Sequence, residues 1–429
     1  MRKKKIAALG AAVLMVISLT GCVFDSSVEE MFTLPQAPLE YEGLMEELNR
    51  LVDDGYEYLS PASGKGTQSV QMVDLNNDGQ EEAVAFFRRA EDEKPLKIFV
   101  FQNVNEDYEL LCTMASSGSS IDSVYYEDLT GDGKPEIIVG WKISTDLHTL
   151  AAYSVGREFI SLINTSYIRF ALQDINQDEK MDLLVILPDN KAGTVCQWYE
   201  WQADQLLPSG SAALSSTAAE IGRGTVINGQ LHQGENALFI TGVSEELSAV
   251  TDILISKNGY LTPVAADERS GKTTVIYPYQ QLPPQDINGD GVTEIPSPVV
   301  DDILHPNMVA WYSYQTNGQH LQVEETYHSQ TEGWYFAMPP KWWGSASAAY
   351  QEASPEEHCV VISVNGQAAV ALYTLTGDDR ETLTTADGRF LISRQTLTNY
   401  AGKILDTRLA GITADELRHS FYLTGNTWG

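Results

Sequence analysis

Short apolar runs rich in β-branched and aromatic residues recur along the middle of the chain and predict β-strands. The runs come in groups of four, with a polar loop between the first and second run of each group. Four antiparallel strands in a unit of about fifty residues are typical of a β-propeller blade. In the first three groups the predicted strands are residues 69–75, 83–88, 96–102 and 108–115; 123–129, 137–143, 150–154 and 160–165; and 168–175, 183–187 and 194–201, with a weak fourth strand before Ser211.

The polar loop is a nine-residue segment that occurs four times, with oxygen-bearing side chains at positions 1, 3, 5 and 9. The copies read DLNNDGQEE (74–82), DLTGDGKPE (128–136), DINQDEKMD (174–182) and DINGDGVTE (286–294). The last interval is about twice the others, which predicts a further, degenerate copy at residues 228–236. Its ligand positions would be the neutral Asn228, Gln230, His232 and Asn236. We therefore predict a mainly β chain with a five-repeat propeller, or six blades if a flanking segment supplies one.

This spacing predicts calcium loops, because Ca²⁺ takes about six to eight hard oxygen ligands from side chains and backbone carbonyls. Glycine at position 6 of three copies allows the sharp turn, whereas the third copy has Glu179 there. The predicted side-chain ligands are Asp74, Asn76, Asp78, Glu82, Asp128, Thr130, Asp132, Glu136, Asp174, Asn176, Asp178, Asp182, Asp286, Asn288, Asp290 and Glu294, and the predicted carbonyl ligands at position 7 are Gln80, Lys134, Lys180 and Val292.

An EF-hand and a metal-free turn are the two alternatives to this type of calcium loop. An EF-hand needs a glutamate at position 12 and a following helix. Position 12 is instead Ala85, Val139, Val185 or Ser297, and strand-forming residues follow the first three copies. A polar turn without metal is the remaining alternative, and four copies in register argue against it.

The pattern D-x-[DNT]-x-D-G-x-x-E followed by a strand resembles the FG-GAP/VCBS repeats of integrin-α-type propellers. The resemblance implies up to four structural calcium ions, each between the first two strands of a blade. The chain departs from the family in Thr130, in Glu179 and in lacking clear Phe-Gly and Gly-Ala-Pro segments. Its layout also resembles uncharacterised surface lipoproteins of Gram-positive bacteria that join such a propeller to a small C-terminal domain.

The first 21 residues predict an export signal, with a basic start followed by an apolar run too short for a membrane span. The signal ends in Leu-Thr-Gly-Cys, which resembles the lipobox of bacterial lipoproteins and implies a lipid on Cys22. We therefore expect an extracytoplasmic protein held at the outer face of the cell membrane by that lipid. Residues 22–39 would be a tether, and residues 40–66 a helix over 40–54 with a lead-in to the propeller at 67–330.

Residues 331–429 predict a small α+β domain, with strands over 359–364, 368–374 and 389–396. Thr413 and Glu416 form a predicted capping box at the start of a helix. Trp334, Trp342 and Trp343 are either core residues or a platform for a glycan or peptide ligand. The remaining cysteines, Cys112, Cys196 and Cys359, are too far apart for a disulfide framework and predict buried thiols.

Charge and motifs narrow the functional classes. The chain carries 59 acidic against 27 basic residues, a net −32, which disfavours nucleic acid as a partner. No nucleophile elbow, phosphate loop, zinc motif or dinucleotide fingerprint is present. We expect a non-catalytic binding scaffold for a protein or cell-surface glycan. The alternative is a polysaccharide hydrolase or lyase on the same scaffold.

Overall fold

The structure is a computed structural model that describes residues 41–104, 107–145, 147–156, 158–299 and 307–424. It is mainly β, as the sequence predicts, and its strands form six separate sheets of predominantly antiparallel strands. The export signal, Cys22 and the tether lie outside the described residues. Within the described residues, no helix is long and apolar enough to cross a membrane.

The described chain begins with helix α1 (Glu42–Asp53), in agreement with the helix predicted over 40–54. Leu44 and Leu48 of α1 are buried against the outer face of the first sheet. Two short strands follow: β1 (Glu57–Tyr58) pairs with the first sheet, and β2 (Ser63–Gly64) pairs in parallel with the second.

The first three sheets have the predicted arrangement, in which consecutive strands pair as antiparallel neighbours. The alternation of β-branched and aromatic residues with polar ones sets this register, because each strand must bury one or both faces. Sheet 1 contains β3 (Val70–Val73), β4 (Glu82–Arg88), β5 (Leu96–Val104) and β6 (Asp107–Ser116); sheet 2 contains β7 (Ser120–Glu127), β8 (Glu136–Lys142), β9 (His148–Val155) and β10 (Phe159–Tyr167); and sheet 3 contains β11 (Arg169–Gln173), β12 (Asp182–Asp189), β13 (Gly193–Gln202) and β14 (Gln205–Ala213).

Sheet 4 follows helix α2 (Ala218–Arg223) and corresponds to the predicted repeat without metal ligands. Its strands are β15 (Thr225–Gln230), β16 (Asn236–Val243), β17 (Ser248–Lys257) and β18 (Tyr260–Pro263), with β19 (Ile276–Pro278) on the other side of β17.

The predicted alignment of the degenerate loop in sheet 4 is wrong. Asn228 and Gln230 lie inside β15, and Gln230 pairs with Asn236. Only the five residues 231–235 connect the two strands, against the eight residues 74–81 in the first sheet. The hairpin is shorter because backbone hydrogen bonds close it directly, from Leu231 N–H to the Glu235 carbonyl (2.9 Å) and from Gly234 N–H to Leu231 (2.9 Å).

Sheet 5 contains β20 (Ile295–Pro298), β21 (Met308–Tyr314), β22 (His320–Ser329), β23 (Trp334–Ala337) and β29 (Phe421–Leu423). The predicted domain boundary at residue 330 therefore falls between two paired strands, β22 and β23. Sheet 5 thus includes residues from the segment predicted to form a separate C-terminal domain.

Sheet 6 is a five-stranded antiparallel sheet with short helices beside it. The predicted capping box is confirmed: the Thr413 side chain accepts from Glu416 N–H, and Glu416 accepts from Thr413 N–H. The strands are β24 (Ala346–Ser354), β25 (Glu357–Val364), β26 (Gln367–Leu375), β27 (Phe390–Arg394) and β28 (Asn399–Ile404), and the helices are α3 (Arg380–Thr385), α4 (Thr407–Ala410) and α5 (Ala414–His419).

The core is divided among apolar clusters, five of which each join two sheets that are consecutive in the chain. Sheets 1 and 2 share one cluster, and the pairs 2–3, 3–4, 4–5 and 5–6 each share another. Among the described residues no such cluster joins sheet 6 to sheet 1, whose outer face is covered by α1. The three cysteines are buried, unpaired thiols, as predicted.

Candidate calcium loops

All four polar segments occupy the same place in the fold. Each connects the first two strands of its sheet or, in sheet 5, leads into β20. In each, the residue before position 1 pairs with position 9. These pairs are Val73–Glu82, Glu127–Glu136, Gln173–Asp182 and Gln285–Glu294. The four copies therefore share one register, which the sequence spacing predicted.

The position-1 aspartate organises each loop by accepting backbone hydrogen bonds. In all four copies the N–H of position 6 donates to its Oδ2, at distances of 2.7 to 2.9 Å. The position-5 aspartate accepts in turn from the N–H of position 7, at 2.8 to 3.0 Å. These bonds converge the two carboxylates on the inside of the turn.

The backbone is left-handed at positions 4 and 6 of every copy. At position 6 the φ angles are +85° for Gly79, +83° for Gly133, +87° for Gly291 and +67° for Glu179. The third loop therefore has the same turn as the others, strained by a residue with a Cβ atom. Position 4 was not singled out from the sequence, because two of its four residues, Asn77 (φ +58°) and Gln177 (φ +60°), are not glycine.

The position-9 carboxylates are buried at the base of the loops. Their residues are 0 to 3% exposed, and each accepts a hydrogen bond from the N–H of position 2, at 2.8 to 3.1 Å. Burial raises the pKa of Glu136 and Glu294 to about 7 and that of Asp182 to about 6, and it also raises the pKa of Glu82. The nearby position-5 carboxylate adds to each of these pKa shifts, and in three loops the position-1 carboxylate does so as well.

Two buried oxygens in the loops lack a hydrogen-bond donor: Glu294 Oε1 at position 9 and Asn76 Oδ1 at position 3. A buried, unpartnered carboxylate oxygen is costly unless a cation or proton satisfies it. Together with the carboxylates at positions 1 and 5, these hard oxygens fit Ca²⁺. The residue types therefore suit the predicted ion.

The side chains do not yet surround a common point. Within the described chain, no three His, Cys, Asp or Glu side chains are arranged to hold a metal ion. Position 3 is engaged within the protein, for example by the Asn76 side chain donating to Glu82 Oε1 (2.8 Å) and the Asn288 side chain donating to Asp290 (3.1 Å). A bound ion would have to replace these hydrogen bonds of the position-3 side chains with its own contacts to them. The position-7 carbonyls remain a prediction.

The third loop and the hairpin of sheet 4 are hydrogen-bonded to each other. The Gln177 side chain donates to the Gly234 carbonyl (2.9 Å), and the Asn236 side chain donates to the Asp174 carbonyl. The loops of sheets 3 and 4 thus lie side by side on one edge of the molecule.

Of the two alternatives for the three tryptophans, a position in the core is confirmed for two of them. Trp334 and Trp342 are each 1% exposed and belong to the core that joins sheets 5 and 6. Trp343 is half-buried, and its indole N–H donates to the Met338 carbonyl (2.9 Å). These rings are held inside because the fifth and sixth sheets close over them.

A cavity of about 340 Å³ lies instead between the first strands of sheets 2, 3 and 4. Its walls include Tyr125, Phe170, Leu172 and Asn228, and Lys65 lies at its edge in an ion pair with Glu127 (2.9 Å). This cavity could not be predicted from the sequence, because strand periodicity does not reveal which first strands face one another.

No protein-family model matches this chain, and no curated protein is significantly similar to it. The class defined by the fold and loops is therefore a mainly β protein of serially packed antiparallel sheets with four like polar loops.

Proposed function

We propose that the protein is a calcium-stabilised β-propeller, anchored to the outer face of the cell membrane by a lipid on Cys22, that acts as a non-catalytic binding scaffold. One observation carries the proposal: four loops share a register, a hydrogen-bond pattern and a buried position-9 carboxylate. The serial packing of the sheets supports a propeller, with the first three sheets and sheet 5 as its metal-binding blades.

Calcium would have a structural role in this scaffold. Each ion would offset most of the charge on the three carboxylates of its loop, including a buried one that is otherwise poorly solvated. The first three loops connect the first and second strands of a sheet and the fourth leads into β20, so an ion would fix the turn at the start of its sheet. The proposed ligands are the predicted side chains at positions 1, 3, 5 and 9.

The binding role follows from the combination of surface anchoring and an open cavity. A cavity walled by two aromatic rings, aliphatic side chains and an amide suits a glycan unit or a peptide side chain. We propose that a protein or cell-surface glycan is the ligand. The lipobox-like sequence at Leu19–Cys22 supports the anchor.

Calcium binding is tested by isothermal titration of the metal-free protein lacking residues 1–21. We expect up to four ions, and replacing position 1 of one loop, as in Asp286→Asn, should remove one of them. Exposed Asp378→Asn serves as a control and should leave the number of ions unchanged. Absence of calcium binding at millimolar concentration would refute the metal part of the proposal.

The anchor and the ligand need separate experiments. Labelled palmitate should enter the full-length protein and not the Cys22→Ser variant. Cross-linking on intact cells should capture a protein or glycan, and Phe170→Ala should weaken that capture while the melting curve shows a folded protein. Release of reducing sugar from a captured glycan would instead favour a hydrolase or lyase.

A further inference from the structure

The third loop differs from the others at its most buried ligand position. Position 9 is Asp182, whose side chain is one methylene shorter than those of Glu82, Glu136 and Glu294. Asp182 is only 3% exposed and uses Oδ2 to accept the N–H of Ile175 (3.0 Å). Its carboxylate therefore reaches less far toward the centre of the loop than a glutamate would.

A second carboxylate stands directly across the sheet from Asp182. The pair Leu183–Tyr199 fixes the register between β12 and β13, and one step further along it places Glu200 opposite Asp182. Opposite residues on neighbouring strands project to the same face. The corresponding residues in sheets 1, 2 and 5 are the uncharged Gln102, Ser154 and Ser313.

Glu200 also takes over a contact that position 9 makes in the first loop. There, the Asn76 side chain at position 3 donates to Glu82 Oε1 (2.8 Å). In the third loop, the Asn176 side chain donates to Glu200 Oε1 (3.1 Å) instead. The other oxygen of Glu200 accepts from the Gln202 side chain (3.0 Å). The carboxylate beside position 3 is thus supplied by the loop in one copy and by β13 in the other.

In the fourth loop, the position-9 carboxylate has an oxygen without a hydrogen-bond donor. Glu294 is fully buried, and its Oε1 has no hydrogen-bond donor. A cation or a proton would satisfy such an oxygen. Its position-9 place is the one for which Glu200 substitutes in the third loop.

We infer that Glu200 is an additional calcium ligand of the third loop and supplies the carboxylate arm that Asp182 is too short to provide. This inference rests on the proposed calcium function. It assigns the third site to two strands, β12 and β13, besides the loop itself. A calcium ion there would tie together three of the four strands of sheet 3.

The test isolates the third loop by titrating calcium into a protein that carries Asp74→Asn, Asp128→Asn and Asp286→Asn. Glu200→Gln in this background should weaken the remaining site by about tenfold or more. The double variant Asp182→Glu with Glu200→Gln rebuilds the Glu82–Gln102 arrangement of the first loop and should restore most of the affinity. Gln202→Ala, which removes only a neighbour of Glu200, should have little effect.

The glutamine variant separates a ligand from a merely structural residue, because its side-chain carbonyl can still accept the bond from Asn176. Unchanged affinity in Glu200→Gln would overturn the inference while leaving the proposed function intact. Failure of every loop to bind calcium in the parent protein would overturn both. If the isolating background does not fold, Glu200→Gln alone should reduce the ions bound per chain by one at sub-saturating calcium, and an unchanged number would overturn the inference.

Discussion

Glu179 shows how one residue can carry strain without changing the loop that contains it. Its φ of +67° matches the region that glycine occupies in the other three loops. A left-handed conformation costs a non-glycine residue about 1–2 kcal/mol. The sequence already shows that this position differs from the other three copies. The structure shows that its backbone nevertheless adopts the same left-handed turn, with the strain that a Cβ atom adds.

Replacing Glu179 by glycine should therefore stabilise the calcium-free protein. We expect a gain of about 0.5–1 kcal/mol, since the relief of strain is partly offset by the greater freedom of glycine in the unfolded chain. The same change at Glu81, an exposed residue of the first loop without a positive φ, should destabilise by about 0.5–1 kcal/mol. Urea unfolding measures both, and equal effects of the two substitutions would contradict the strain argument.

The buried carboxylates predict how stability without calcium depends on pH. The folded pKa of Glu294 is raised from its ordinary 4.5 to about 7, because burial disfavours the charged form. The stability that neutral Glu294 contributes is complete below pH 4.5 and is lost as the pH rises through about 7. In chelator, Glu294→Gln should therefore melt higher than the parent at pH 8 and nearly together with it at pH 4.5.

The control for that experiment is Glu268→Gln, at an exposed glutamate in the turn before β19. It should leave the difference between pH 8 and pH 4.5 unchanged. The fourth loop of Glu294→Gln should also lose most of its calcium affinity. A variant that melts below the parent at pH 8 would contradict the assigned protonation.

At the scale of elements, strand positions could be predicted from the sequence because burial imposes a period of two on side chains. The predicted strand at 96–102 and the observed Leu96–Val104 differ by two residues at one end. What the sequence could not show was pairing between distant segments, such as Phe421–Leu423 joining Trp334–Ala337. No local pattern encodes such a partner, so the boundary placed at residue 330 cut through a sheet.

The predicted alignment of the sheet 4 hairpin with the polar loops is wrong for a related reason. Composition identified Asn236 as the counterpart of position 9, and the pairing with Gln230 supports that place. The sequence does not reveal that this loop is three residues shorter than the loop of the first sheet, because neutral polar residues occur in both strands and turns. Asn236 has nevertheless kept a role, which is to bind the neighbouring loop rather than a metal.

Asn236→Ala should separate the hairpin of sheet 4 from the third loop. Loss of the bond to the Asp174 carbonyl should cost about 1 kcal/mol of unfolding free energy. It should also weaken calcium binding by the third loop, because Asp174 is the proposed position-1 ligand of that loop. Gln367→Ala, at an exposed position of β26, is the control and should have an effect of less than about 0.5 kcal/mol. A loss of stability with unchanged calcium affinity at the third loop would contradict the coupling between this hairpin and that loop.

For the whole molecule, stability depends on the apolar clusters that neighbouring sheets share. Each of the first five sheets buries apolar residues against the next, so loosening one of sheets 2 to 5 weakens two clusters. The net charge of −32 opposes compaction, and twelve of the acidic residues lie at predicted ligand positions. Calcium would reduce this repulsion at the edge where the loops lie.

Removal of calcium should therefore lower the melting temperature of the whole protein. At calcium ten times above Kd, each site contributes about 1.4 kcal/mol by linkage, and four sites together about 5–6 kcal/mol. A chain of this size responds by roughly 2 °C per kcal/mol, which predicts a fall of about 10 °C in EDTA. Re-addition of calcium should reverse the fall, and a variant with Asp→Asn at all four position-1 residues should melt alike with and without calcium. A parent melting curve that is indifferent to thorough chelation would show that these loops are polar turns, held by their backbone hydrogen bonds alone.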